Sequence, residues 1–470
     1  MEKYLPKIRR KPIIEKVPCS LSPEDLYSFF AGQKNTALLN SSLETDAGRF
    51  SFIGTDPFLK FKGKGRDMYL ETKGHIIPVK KGPFEILDSI LGTYRMENPS
   101  GLPFSSGGIG YFSYDLKNAL EKLPRTAIDD LMMPDIYFIF YRCLIAFDRQ
   151  DPGSVYISVL DIDGSPEDPS SVVTQIKTIV QKSPDTLRFA PGTRYPVPDT
   201  RIISNFTKKE YISAVKKAID HIRAGDIYQA CLSQRFRARL EHDPYEIYLR
   251  LNRINPAPFS AYLCTDGAAV LSSSPELFLR YSKGKVETRP MKGTRPRGKN
   301  EEKDRALMAS LEKSVKDTAE LSMIVDLERN DLGKICSPGS IRVKEHRRIE
   351  KYPTVYQTIS IVEGSVPAST DLTDIIKAAF PGGSITGCPK IRAMEIIDDL
   401  EPCARGVYTG SIGYLSFHDT MDLNIAIRTM TAKNGELYFH AGGGITAGSD
   451  PEKEYQETLH KARAMMESLS

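Results

Sequence analysis

The dipeptide Lys283-Gly284 constrains this chain more than any other short stretch. It lies between two alternating apolar runs, residues 277–281 and 285–291, and supplies the turn chemistry that a two-residue connection needs, so the pattern predicts a β-hairpin. A hairpin folds its flanks together. Counted outward from the turn, Glu276 falls opposite Met291 or Lys292, which sets a carboxyl beside an amine at about 5 Å between Cβ atoms. Taken alone, that is a surface ion pair at the open end of a hairpin, and most such pairs do no chemistry.

The rest of the chain is large enough to build around such a pair. Its 470 residues suffice for two or three ordinary domains or one large sandwich with a substantial core. A formal charge of +4, with no block of five or six like charges, gives no electrostatic case for nucleic acid or a membrane surface. Seven scattered cysteines without Cys-x-x-Cys spacing read as reduced thiols, which makes the cytoplasm the expected compartment. Pro6, Pro12 and Pro18 interrupt a basic N-terminus that has no apolar stretch for a signal peptide or a span.

Residues 20–183 alternate short β-rich runs with turns and brief helical patches, the pattern of a sheet domain. Residues 184–205, with Pro184, Pro191, Gly192, Pro196 and Pro198, have the composition of an extended connector, and 206–465 is expected to form a second domain. That segment opens on a helix: Thr207 and Glu210 form a capping box, and Tyr211, Val215, Ala218, Ile219 and Ile222 recur at helical spacing. Two phrases echo each other, 108–114 and 411–417, and are expected to be equivalent strands in one core.

Three further patterns bear on chemistry. Asp317 and Glu320 stand three apart in a helical segment expected over 301–326, and Glu454 and Glu457 repeat the spacing near the C-terminus. Residues three apart share a helix face, so each pair is either a solvated face or half of a cation site. Residues 381–389, Pro-Gly-Gly-Ser-Ile-Thr-Gly-Cys-Pro, form a glycine-rich loop that ends at a proline suited to be the first residue of the helix through Leu400. Such a loop can present backbone N–H groups to an anion, although the missing Lys-Ser or Lys-Thr rules out a P-loop.

Ser274-Pro275-Glu276, the run Arg289-Pro-Met-Lys-Gly-Thr-Arg-Pro-Arg-Gly298, both acid pairs and the 381–389 loop resemble, in order, the motifs of the chorismate-utilising enzymes. The resemblance covers nearly the whole chain and implies an α+β fold, a large mixed, mainly antiparallel β-sandwich with helices packed outside. Lysine at 292 is similar to the aminodeoxychorismate synthase branch, whereas the anthranilate synthase branch usually carries a small residue there. Gln229 stands where water-using relatives carry a lysine base. An amide cannot act as that base, so the likeness favours ammonia over water. The alternatives are the anthranilate branch and a catalytically silent chorismate-binding subunit.

By the same resemblance, Glu276 and Lys292 are the catalytic acid and nucleophile, which requires a raised pKa for Glu276 and a lowered one for Lys292. Gln229, Ser384, Tyr408, Arg428, Gly442, Gly444 and Lys461 are implied to surround chorismate, with Arg428 and Lys461 near its enolpyruvyl carboxylate. Glu320 and Glu457 are implied to bind Mg2+ directly, and Asp317 and Glu454 through water. Gln357 replaces a histidine common in relatives. Leu38-Leu39-Asn40-Ser41 with 48–54 is similar to a tryptophan pocket, but Asn40 stands where an acid is usual, so an ordinary core strand is expected there. No glutaminase constellation is visible and the chain leaves no room for that domain, so the resemblance implies a separate class I glutamine amidotransferase as the ammonia source.

Overall fold

The computed structural model describes residues 2–98, 100–182, 201–353 and 355–469. Every pairing between its named strands is antiparallel. Ile136–Asp148, buried along almost its whole length, is the spine. One edge pairs with Phe50–Lys64, and the other with Gly107–Phe112 and Ser154–Ile162.

From this spine two arms of sheet extend. The first passes from Gly107–Phe112 through Ser411–Ser416, Met421–Asn424, Leu277–Ser282 and Lys285–Arg289 to Val355–Ser365. The second runs from Phe50–Lys64 through Thr36–Asn40, Phe259–Cys264, Ala268–Ser274, Thr429–Lys433 and Glu436–Ile445 to Gln229–Arg239. After Gln229–Arg239 the chain passes by short connections from one arm to the other at 274–277 and back at 424–429, and the connection at 274–277 carries Glu276. Apolar residues packed between and over the arms form the cores, with helices on the outside.

Local signals fold as their chemistry dictates. Thr207 caps the helix Lys208–Arg223 with Glu210 completing the box, and Tyr211, Val215, Ala218 and Ile219 are buried. The two echoed phrases are direct neighbours: Ser411 pairs with Phe112 and Ser416 with Gly107. Lys283 and Gly284 both adopt positive φ, 51° and 75°, and join Ser282 to Lys285 as a two-residue hairpin turn. Asn40 lies in a buried strand, where its side chain bonds Glu24 and Ser51.

Three expectations need correction. An irregularity between Leu277 and Arg280 shifts the hairpin register so that Leu277 faces Arg289, and Met291–Pro296 leaves the hairpin to pair with Val355–Ser365. Glu276 therefore has no cross-strand partner at 291 or 292; instead its carboxylate accepts the Met291 N–H. The single helix expected over 301–326 is two, Glu301–Glu312 and Val315–Gly333, because the Ser314 side chain accepts the Asp317 N–H and starts a new helix. Pro389 is the N-cap of Lys390–Leu400 and not its first helical residue.

The connector expected at 184–205 falls mostly outside the described residues; within it, Ile203–Ser204 pairs with Gln229–Arg239. Strands before and after it hydrogen-bond to each other at Thr36–Asn40 and at Gly107–Phe112. Among the described residues, no helix is long and apolar enough to cross a membrane.

Candidate functional site

A cavity of about 1090 Å³ opens where the second arm, the Met291–Pro296 strand and the helices Val315–Gly333 and Pro451–Glu467 meet. Of the residues singled out above for chemistry, Glu276, Lys292, Ser384, Tyr408, Arg428, Gly442, Gly444, Lys461, Asp317, Glu320, Glu454 and Glu457 all line it. Gln229 does not. It lies fully buried just behind the wall, with Oε1 lacking any hydrogen-bond partner. A Cβ added at Gly444 would stand 2.7 Å from Gln229 Nε2 and 3.0 Å from Lys292 Nζ, so the bare backbone at 444 is what lets amide and amine approach the strand.

The closed end is built from buried polar groups. Glu276 is 5 % exposed, and burial pushes its carboxyl up to about 7 against the pull of the Ser384 hydroxyl, Lys292, the Met291 N–H and Lys461. The shift is in the direction expected of the acid, and a carboxyl in that range can take up and give back a proton near neutrality. Lys292 does not meet its requirement. Burial alone favours the neutral amine, yet Cys231, Glu320, Glu276 and Glu457 together hold the ammonium above its ordinary range. The expected lowering is thus overturned by acids that lie far away in sequence.

Arg428, with φ 49°, extends Nη1 to Asn255 Oδ1 at 2.7 Å, and burial lowers its pKa. Lys461 is exposed at the mouth, with Nζ 2.9 Å from Gly442 O and 2.8 Å from Glu457. Gln357 lines the cavity and leaves its Oε1 unpartnered.

The four acids share the cavity but do not converge. Among the described residues, no group of three or more His, Cys, Asp or Glu side chains is positioned to hold a metal. Asp317 pairs with Arg295 at 2.8 Å, Glu454 Oε1 accepts from Ser449 at 2.7 Å, and Glu457 pairs with Lys461. Glu320 differs: its Oε1 is buried without a hydrogen-bond partner, 3.7 Å from Lys316 Nζ. Glu454 Oε2 and Glu457 Oε1 lean over Gly443, 3.2 and 3.4 Å from where a Cβ would stand. An orphaned carboxylate oxygen and an oxygen-only donor set suit a hard divalent cation.

Arg405 was not foreseen. It is buried beneath Tyr408 and spends its fork on Glu401 (2.7 and 2.8 Å), Ile385 O (3.0 Å), Thr409 (3.2 Å) and Cys231 O (2.7 Å). The Glu401-x-x-x-Arg405 spacing was available as a signal. Asn255 and His440, which also line the cavity, carried none.

The chorismate binding enzyme family matches residues 40–467. The chain belongs to that family. Among curated chorismate binding enzymes, it is 40% identical over 423 residues to the aminodeoxychorismate synthase component 1 of Salmonella typhimurium, covering 90% of each chain. It is 38% identical over 436 residues to the anthranilate synthase component 1 of Acetivibrio thermocellus, covering 90% of this chain and 87% of that one. The solved anthranilate synthase component I from Streptococcus pneumoniae superposes with a TM-score of 0.78 at 31% identity, covering 96% of this chain and 99% of that one. The fold is the one the resemblance implied, a large antiparallel sheet assembly with outer helices.

Proposed function

We propose that this chorismate binding enzyme is an aminodeoxychorismate synthase component I, converting chorismate and ammonia to 4-amino-4-deoxychorismate, the precursor of 4-aminobenzoate and folate. The observation that carries the reading is the Lys292 amine in the wall of the cavity, against Gly444 and within electrostatic reach of Glu276. A small residue there would leave a pocket with an acid but no nucleophile.

One proton serves both groups. When Lys292 Nζ passes its proton to the Glu276 carboxylate, the amine becomes a nucleophile and the carboxyl becomes an acid. The amine attacks C2 of the ring, both ring double bonds shift (C1=C2 to C1=C6 and C5=C6 to C4=C5), and the C4 hydroxyl leaves as water with the Glu276 proton. Ammonia then attacks C4, both double bonds shift back, and the Lys292 amine departs from C2. Arg428 and Lys461 supply positive charge for the enolpyruvyl carboxylate, the arginine through its planar fork. Glu320 and Glu457 are the residues that would hold Mg2+, with Asp317 and Glu454 acting through water. When bound, the ion neutralises the ring carboxylate.

Ammonia is expected from a class I glutamine amidotransferase subunit, which the words "component 1" in the relatives' names support. Free ammonia is a minor species at pH 7, so a docked source raises its local concentration. The anthranilate synthase reading is kept as second because relatives of that name are nearly as similar.

The purified chain, given chorismate, Mg2+ and ammonium, is expected to form 4-amino-4-deoxychorismate, identified by chromatography and mass. Glutamine is expected to support turnover only after an amidotransferase subunit is added. Fluorescent anthranilate as the main product would overturn the first reading, and glutamine use by the chain alone would overturn the partner.

A further inference from the structure

The closed end of the cavity rests on residues 381–389, and buried side chains tie this loop down. Lys390 Nζ, paired with Asp331, donates to Ala379 O at 2.8 Å and Pro381 O at 2.7 Å. Arg405 holds Ile385 O at 3.0 Å, and Cys231 N–H holds Thr386 O at 2.7 Å. Between these anchors lies Gly383, whose N–H donates to Glu328 Oε1 at 3.1 Å. The next residue is Ser384, whose hydroxyl bonds Glu276.

Glu328 is 2 % exposed, on the inner face of Val315–Gly333. Its other oxygen has only Thr288 Oγ1, at 3.5 Å. A Cβ at Gly383 would stand 2.8 Å from Leu327 Cδ2 and 3.1 Å from Glu328 Oε1, so the loop backbone lies flat on this helix. Burying a carboxyl is unfavourable unless it is paired, and the nearby cation, Lys390, is already engaged by Asp331. Burial first and Asp331 next push the Glu328 carboxyl up to about 7, with Lys390 and the Gly383 N–H opposing. The group that this carboxyl holds most closely is the Gly382–Gly383 peptide, one residue before Ser384.

We propose that Glu328 is a positioning residue for the Glu276 acid: by fixing the Gly383 N–H it aims the Ser384 hydroxyl at the Glu276 carboxyl. The inference rests on Glu276 being the acid of the proposed reaction. Glu328 touches no substrate; it acts through the loop. An amide oxygen can accept the same N–H, so Glu328→Gln should keep the geometry, whereas Glu328→Ala leaves a buried donor unpaired.

The test compares Glu328→Ala, Glu328→Gln, Ser384→Ala and the Glu328→Ala/Ser384→Ala double variant for chorismate consumption with ammonium and Mg2+. Hydrogen exchange of peptides spanning 381–389 is measured alongside. Glu328→Ala should lower kcat on the order of 100-fold. KM for chorismate should change by less than about twofold, and Glu328→Gln should restore most of the rate. In the Ser384→Ala background the alanine change should cost no more than about threefold, because both lesions remove one interaction. Exchange should quicken in Glu328→Ala and not in Glu328→Gln. Equal loop protection in Glu328→Ala and wild type, or additive losses in the double variant, would overturn the inference. Wild-type protein that consumes no chorismate would refute the proposed function instead, and the exchange comparison would then decide the loop's anchoring alone.

Discussion

The two ends of the cavity are built on opposite plans. At the closed end Arg405 has every arm of its fork engaged, Glu276 accepts from Ser384 and Met291, and the loop 381–389 is pinned from several sides. At the mouth four acids project from two helices, three of them matched to a neighbour that is not a metal and the fourth, Glu320, holding an orphaned oxygen. The closed end is preorganised, as electrostatic catalysis requires. The mouth can change partners. Its cations Arg295, Lys316 and Lys461 stand 2.8 Å from Asp317, 3.7 Å from Glu320 and 2.8 Å from Glu457.

If the closed end performs the chemistry, Glu276→Gln should lower kcat by about 100- to 10,000-fold while KM for chorismate moves little, measured in steady state with ammonium. The same variant tests the pKa. A carboxyl raised from its ordinary 4.5 to about 7 in the fold costs nothing while protonated. As pH rises through 4.5 the unfolded chain sheds that proton first, and the folded state loses stability until the group ionises near 7. Glu276→Gln should therefore be more stable than wild type at pH 8 and closest to it at pH 5, with a difference of up to about 3 kcal/mol in urea titrations. A pH-independent difference would contradict the shift.

Next in size is the framework of the closed end. Arg405→Met should destabilise the protein by about 3–5 kcal/mol, because Glu401 would remain buried without its cation. Thermal unfolding measures it. A loss below about 1 kcal/mol, the range of exposed pairs, would show that the closed end is no stiffer than the mouth.

The smallest effects belong to the mouth. Glu320→Gln and Glu457→Gln should raise the Mg2+ concentration for half-maximal activity by about 10- to 100-fold and leave unfolding nearly unchanged, since each removes one of several neighbouring carboxylates. Full activity of both variants at limiting Mg2+ would make these acids surface charges.

This contrast also marks what the sequence could tell. The hairpin turn, the Thr207 cap and the presence of the echoed phrases as strands of one core depend on neighbours a few residues apart or on nearly repeated phrases, and all three were legible; that the echoed strands pair directly was not. Through the resemblance, the presence in the cavity wall of every residue named for chemistry except Gln229 was legible too, whereas Arg405, Asn255 and His440 were missed. The break at Ser314 and the shifted hairpin register were not legible, because one side-chain cap and one irregular strand override a periodic pattern. The charge on Lys292 was illegible for a different reason: burial was foreseen, but Glu320 and Glu457 reach it only through the folded topology. Glu328 carried no signal, since it falls just beyond the helix expected over 301–326.

The proposed reaction requires Lys292 as a nucleophile at the closed end. The direct measurement is mass spectrometry of the full chain incubated with chorismate and Mg2+ without ammonia, followed by peptide mapping. An adduct on Lys292 that disappears when ammonium is added is the predicted result. An adduct on another residue, or none under conditions that support turnover, would contradict it.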